Sequence, residues 1–180
     1  MSVIVVTGIP GAGKTTVGRM LATELDVPML DKDDVLDDLL HLSTDPAAQR
    51  PELSRRADRL FIEQARVQPA AVLVSFWRRP ELSMTSGTPT EWLGELPDPI
   101  ELWCRCDPEV AVRRFRSRRR HPGHGDDQRS SDELREQFAT LADLGPLGVG
   151  RLVSVDSSYV VDVKQLAMRI RDPVQDDWVP

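Results

Sequence analysis

Gly8, Gly13, Lys14 and Thr15 stand in the register G-x-x-x-x-G-K-[ST] within the stretch VIVVTGIPGAGKTT, Val3 to Thr16. Glycines at 8, 11 and 13 let a backbone curl around an anion without Cβ clashes, so that successive N–H groups, through Ala12 and on to Thr16, point at a phosphate. Lys14 is then placed to reach the β- and γ-phosphates and the Thr15 hydroxyl to hold Mg²⁺. A glycine turn with a stray lysine would look similar. Here, however, an apolar run precedes the turn and a helical pattern follows it, which is the setting a phosphate loop requires.

A phosphate loop alone serves kinases, switches, motors and repair ATPases, so other side chains must decide between them. Asp31 and Asp33, in LDKDDVL, fall at the end of the second strand-like run. A carboxylate there can face the γ-phosphate from the acceptor side, orient a hydroxyl and take its proton. Acids at a helix start also serve as caps and dipole partners, and that reading suffices for Asp34, Asp37 and Asp38. Arg114 and Arg118, four apart on one helical face, lead into the basic run RRRHPGHG, a glycine-bearing surface loop. The stretch Trp77 to Trp92 holds two arginines, two tryptophans and several hydroxyls. In it Arg78 and Arg79 could clamp an anion, Trp77 or Trp92 could stack on a sugar or base, and Ser83, Thr85, Ser86 and Thr88 could bind hydroxyls. The alternative is a surface loop whose tryptophans pack on the core.

These residues need a frame. After the loop, Val17, Met20, Leu21 and Leu25 recur at helical spacing up to Asp26-Val27-Pro28. A short strand over Pro28 to Leu30 feeds a helix over Asp31 to Leu40 with Val35, Leu39 and Leu40 inward, and Ser43 to Pro51 reads as a turn-rich break. Helix resumes over Glu52 to Val67 with Leu53, Ala57, Leu60, Phe61 and Ala65 on its apolar face, followed by a buried strand over Ala70 to Phe76. Pro99 to Cys106 is a fourth strand, with Cys104 and Cys106 as buried thiols on one side of it. Asp107-Pro108 opens a helix over Glu109 to Arg118 with Val110, Ala111 and Phe115 inward. Ser131 caps a helix over Asp132 to Leu144, Arg151 to Val155 is the last strand and Val163 to Ile170 the last helix. Strands alternating with helices predict an α/β fold whose mostly parallel sheet gathers the phosphate loop, DKDD, the Ser75 to Arg79 corner and the loop after Ser154 at its carboxyl edge.

GIPGAGKTT, LDKDDVL and WCRCDPEVAVRRFRSR with its basic loop resemble, over most of the chain, the P-loop kinases of small molecules and nucleic-acid ends. That group includes chloramphenicol phosphotransferase, gluconate and shikimate kinases and the kinase domain of polynucleotide kinase. The resemblance implies a three-layer P-loop NTPase fold with five strands in the order 2-3-1-4-5, helices on both faces and a lid loop. It places the family's β2-end acid, the general base or hydroxyl anchor, on Asp33, with Asp31 as a second contact. It places the family's arginine pair on Arg114 and Arg118, and the lid at Arg119 to Gly125 within a segment 118–131. Many P-loop enzymes carry an acid at the end of the third strand to hold Mg²⁺ or its water, but here that position is Ser75. Either Thr15, the phosphates and waters oriented by Asp31 then hold the ion, which makes Thr15 and Asp31 the metal-side residues, or Ser75 contacts a water of its shell.

The full assignment makes Lys14, Asp33 and Arg118 catalytic and gives nucleotide contacts to Gly8, Gly11, Ala12, Gly13, Lys14, Thr15, Thr16, Arg114 and Arg118. Asp31, Asp33, Trp77, Arg78 and Arg79 fall to the acceptor, the last three within an insertion spanning 76–97. The expected cofactors are ATP and Mg²⁺: the guanine-reading N-K-x-D is absent, as is a D-x-x-G after the third strand, which counts against a Ras-like switch. One domain over 1–172 with a loosely held tail 173–180 is expected from the 180-residue length. With 23 Lys and Arg against 29 Asp and Glu, the net charge of −6 disfavours nucleic acid as a partner, without excluding a polynucleotide 5′-hydroxyl or nucleotide kinase. No apolar run approaches membrane length and the start carries no basic leader, so a cytoplasmic monomer or homodimer acting on a small-molecule hydroxyl is expected. A non-catalytic ATP-binding regulatory module is the alternative of another class.

Overall fold

β1 (Ile4–Thr7) is buried along its whole length and sits at the centre of a five-stranded sheet. A computed structural model describes residues 2–82, 86–118 and 129–172. The predicted lid residues Arg119, Arg120, His121, His124 and Gly125, the hydroxyls of Ser83 and Thr85, and the tail 173–180 lie outside the described residues.

The other strands are β2 (Met29–Asp31), β3 (Val72–Val74), β4 (Ile100–Arg105) and β5 (Arg151–Asp156). All pairings are parallel and the order is β2-β3-β1-β4-β5, as the resemblance implies. Alternation along β1 divides the core. Ile4 and Val6 pack with α1 (Lys14–Leu25), α4 (Pro108–Ser117), α5 (Ser131–Asp143) and α6 (Val163–Arg171), whereas Val3 and Val5 pack on the other face with Phe61 and Ala65 of α3 (Pro46–Arg66). Burial on both faces is what makes parallel strands read as unbroken apolar runs. A smaller cluster joins Leu36, Leu39 and Leu40 of α2 (Lys32–Leu42) to Leu53 and Ala57 of α3.

Caps fix the helix starts. Asp107 accepts from the amides of Glu109 and Val110 ahead of Pro108, and Ser130 with Glu133 forms a reciprocal capping box at α5. Two helix starts differ from the sequence reading: α5 is capped by Ser130 and not by Ser131, and α3 begins at Pro46, inside the segment read as a break. Asp45 caps it by accepting from Ala48 N, and Pro51 lies within the helix. Pro51 removes one backbone bond close to the helix start, which the packing of Leu53 and Ala57 against α2 offsets. Within α4 the inward residues are Ala111, Val112 and Phe115, so Val112 takes the place expected of Val110.

Candidate active site

The phosphate loop follows β1 and ends at α1, whose N-cap Gly13 has φ 83°. Gly11 shares this left-handed backbone, and a Cβ there would run into the Ala111 carbonyl, so α4 rests directly on the loop. Lys14 Nζ donates to the carbonyls of Gly8 at 2.8 Å and Ile9 at 3.0 Å, spanning the loop it belongs to. Burial, and then the positive charge of Arg118, lower the Lys14 pKa to about 8. Asp33 and Asp31 pull in the opposite direction, so both acids lie within electrostatic reach of the ammonium.

Asp31 is 4% exposed and holds two elements together. Its Oδ2 accepts from Thr15 Oγ1 at 2.8 Å, and its Oδ1 accepts from Asp33 N at 3.0 Å, capping α2. Burial, followed by the neighbouring Asp33 charge, raises its pKa, while the bonds from Asp33 N and Thr15 hold it down. The acid is thus a cap of α2 and a contact to the phosphate loop at once. Asp33, half-buried in the first turn of α2, stands next to it.

Arg118 caps the end of α4, with its guanidinium 5.2 Å from the centroid of the Phe115 ring. Arg114 Nη1 and Nη2 donate to the carbonyls of Ser157 at 2.6 Å and Ser158 at 3.0 Å, so the loop after β5 is tied down beside Gly13. A cavity of about 670 Å³ opens beyond these bonds, reaching Ile9 at one end and lined by Cys106, Val110, Arg113, Asp156 and Tyr159. Cys104 is buried as expected, its pKa pushed up to about 12 by desolvation. Cys106 is only half-buried.

The acceptor segment departs from expectation at two residues. Trp77 is 4% exposed, donates from Nε1 to Val6 O at 2.8 Å and packs against Phe61 and Trp92, so neither face of its ring is open to a ligand. Alternation past β3 turns it toward the α3 core, where burying an indole requires a partner for its N–H. Arg79 is buried too, and its Nη2 donates to the carbonyls of Leu144 and Pro146 at 3.1 and 3.2 Å. It is a staple on the α5–β5 connection and not an anion clamp. Arg78 stays half-buried, with Nη2 3.3 Å from Gly87 O and a buried Nε that has no partner among the described residues. Trp92 is in the core, donating to Pro89 O.

Two buried polar groups escaped the sequence reading. Glu101, 0% exposed on β4, accepts from Thr7 Oγ1 at 2.6 Å and from the amides of Leu147, Gly148 and Val149 at 2.6, 2.8 and 3.0 Å. Its only signal was an acid inside an apolar strand. Lys32, between the two acids of DKD, turns away from the phosphate loop, donating to Ser54 at 3.0 Å and lying 3.7 Å from Asp58. Nothing in the α3 sequence marked Asp58.

A phosphate loop at the carboxyl edge of a parallel 2-3-1-4-5 sheet, with acids after β2 and arginines ending the helix after β4, is the arrangement of the P-loop kinase fold. Residues 4–136 match the AAA domain family (AAA_18), and the chain belongs to it. A candidate kinase from Chloroflexus aurantiacus J-10-fl is 26% identical, with a TM-score of 0.73 over 94% of this chain and 96% of that one. Shikimate kinase from Acinetobacter baumannii, solved with shikimate, shares the fold at 19% identity and a TM-score of 0.59, over 100% of this chain and 96% of that one. Cytidylate kinase from Ignicoccus hospitalis is 36% identical over 74 residues, a match spanning 37% of this chain and 42% of that enzyme. Among the described residues no helix is long and apolar enough to cross a membrane, and no three His, Cys, Asp or Glu side chains gather as a metal site.

Proposed function

We propose that the protein is an ATP-dependent phosphotransferase that moves the γ-phosphoryl group of ATP to a hydroxyl of a small molecule. The reading rests on one observation: the Asp31 carboxylate joins Thr15 of the phosphate loop to the amide of Asp33, which sets a second acid in the field of Lys14. A switch or regulatory module needs no such acid on the acceptor side.

Loop amides and Lys14 bind the phosphates, and Arg118 adds a planar donor fork where charge spreads over the transferring oxygens. Asp33 orients the acceptor hydroxyl and takes its proton as the new O–P bond forms; the bond from the γ-phosphorus to its bridging oxygen breaks and ADP leaves. The Thr15 hydroxyl and the Asp31 carboxylate, both hard oxygen donors, suit Mg²⁺, which would take its remaining ligands from phosphates and water. Thr15 and Asp31 would hold the ion, which when bound neutralises phosphate charge.

The partial likeness to cytidylate kinase supports a second reading, in which the acceptor is a nucleoside monophosphate. ADP release and product mass would be followed with ATP, Mg²⁺ and a panel of sugars, hydroxy acids, nucleosides, nucleoside monophosphates and 5′-hydroxyl oligonucleotides. Transfer to a non-nucleotide alcohol is expected. Transfer to CMP alone would move the second reading to first place, and tight ATP binding with no acceptor phosphorylated would favour a regulatory module. Asp33→Asn should lower kcat roughly 10²- to 10⁴-fold with nucleotide affinity nearly intact; a loss of nucleotide binding instead would remove Asp33 from the base role.

A further inference from the structure

Ser75 follows β3 directly. Val74 pairs with Val6 on one side and with Asp31 on the other, which puts Ser75 one residue past the pairing that joins the base of the phosphate loop to the acid holding Thr15. It is buried, as is Thr88, and their hydroxyl oxygens are 2.6 Å apart. Thr88 Oγ1 is also 2.8 Å from Asp58 Oδ1, and Asp58 is itself paired with Lys32 across 3.7 Å. An ionised carboxylate only accepts, so the single Thr88 proton goes to Asp58 and Ser75 must donate to Thr88. The order of protons is therefore fixed. Ser75 Oγ keeps only acceptor capacity, and its lone pairs are enriched by a negative charge two hydrogen bonds away.

We propose that Asp58 is a positioning residue for the metal shell, supplying to the end of β3 the charge that an acid at position 75 would supply directly. Thr88 and Ser75 relay the charge, so that Ser75 Oγ accepts from a water bound to the ion held at Thr15 and Asp31. The inference rests on the reading of the site as a Mg²⁺-dependent kinase. It accounts for an arrangement that packing alone does not require: two buried hydroxyls from separate segments aligned on one acid of a third, with a buried lysine holding that acid in place. Carboxylates that act on a metal through intervening groups tune affinity without touching it.

Mn²⁺ binding can be followed by electron paramagnetic resonance, with the protein saturated by a non-hydrolysable ATP analogue. Thr88→Val keeps the side-chain shape and breaks the relay, and Ser75→Ala removes only its last hydroxyl. Each is expected to weaken Mn²⁺ about 10- to 100-fold, while nucleotide affinity measured in EDTA stays within about twofold. Asp58→Asn should weaken Mn²⁺ similarly, and Asp58→Asn with Ser75→Asp, which moves the charge to the head of the relay, should restore it. The proposal is overturned if Thr88→Val and Ser75→Ala leave Mn²⁺ affinity unchanged, if metal-free nucleotide affinity falls in parallel, or if the charge-relocated pair is no better than Asp58→Asn. Absence of nucleotide-dependent Mn²⁺ binding in the wild-type protein would overturn the kinase reading along with it.

Discussion

The donor half of the site and the acceptor segment use the same residue types to opposite ends. Around the phosphate loop, Lys14 donates to carbonyls of its own loop, and Asp31 accepts from Thr15 and from the amide two residues on. In the segment after β3, Trp77 and Arg79 are consumed by packing and by carbonyls far away in sequence. Lys14 is engaged through its own loop alone, whereas Arg114, like Trp77 and Arg79, reaches carbonyls of a distant segment. The same donors spent on distant partners become part of the frame.

Three measurements bear on that contrast. Trp77→Ala should destabilise the protein by about 3–5 kcal/mol, because it empties a buried indole site and orphans Val6 O. Equilibrium denaturation reads the loss; a raised acceptor KM with unchanged stability would return Trp77 to the site and erase the contrast. Arg79→Met keeps the buried aliphatic stem but leaves the carbonyls of Leu144 and Pro146 without their donor, a cost of about 1–3 kcal/mol, and acceptor KM should not move.

The smallest effect is on pH dependence. Lys14 titrates near 8 in the folded chain against an ordinary 10.5, so below pH 8 it is charged both folded and unfolded and its burial penalty is fully felt. Between those values the unfolded chain binds the extra proton, so Lys14 contributes a rise in stability with pH that levels off near 10.5. Phosphate binding requires the charged form. Calorimetric nucleotide affinity should therefore fall as pH rises past about 8, approaching tenfold per unit. A flat profile up to pH 9.5 would show Lys14 fully charged throughout.

How far the sequence carried depends on how local each constraint is. The places of the glycine loop ahead of α1 and of Asp31 at the end of β2 were legible because both are written within a few residues of a strand end. Strand order followed from the resemblance and matches the sheet. The start of α3 was misread because Pro51, past the first turn of the helix, carries the local signal of a break, and the packing against α2 that overrides it is tertiary. Trp77 was ambiguous for a related reason: an indole near a strand end suits a ligand or a core, and only the approach of α3 chooses. Thr88, the partner of Ser75, lies 13 residues away on a loop, and Asp58, the partner of Thr88, lies 30 residues before it on a helix, two segments that the sheet must first bring together.

The bonds at Glu101 repeat, inside the protein, what the glycine loop offers outside it. Three consecutive amides of the α5–β5 connection converge on one carboxylate, and that carboxylate also fixes Thr7, the residue before Gly8. Two anion cradles therefore lie on either side of a single strand end. One is filled by an acid the chain carries with it, which does not dissociate and so sets the frame permanently; the other is the loop at which the proposed phosphotransferase would take up and release its nucleotide.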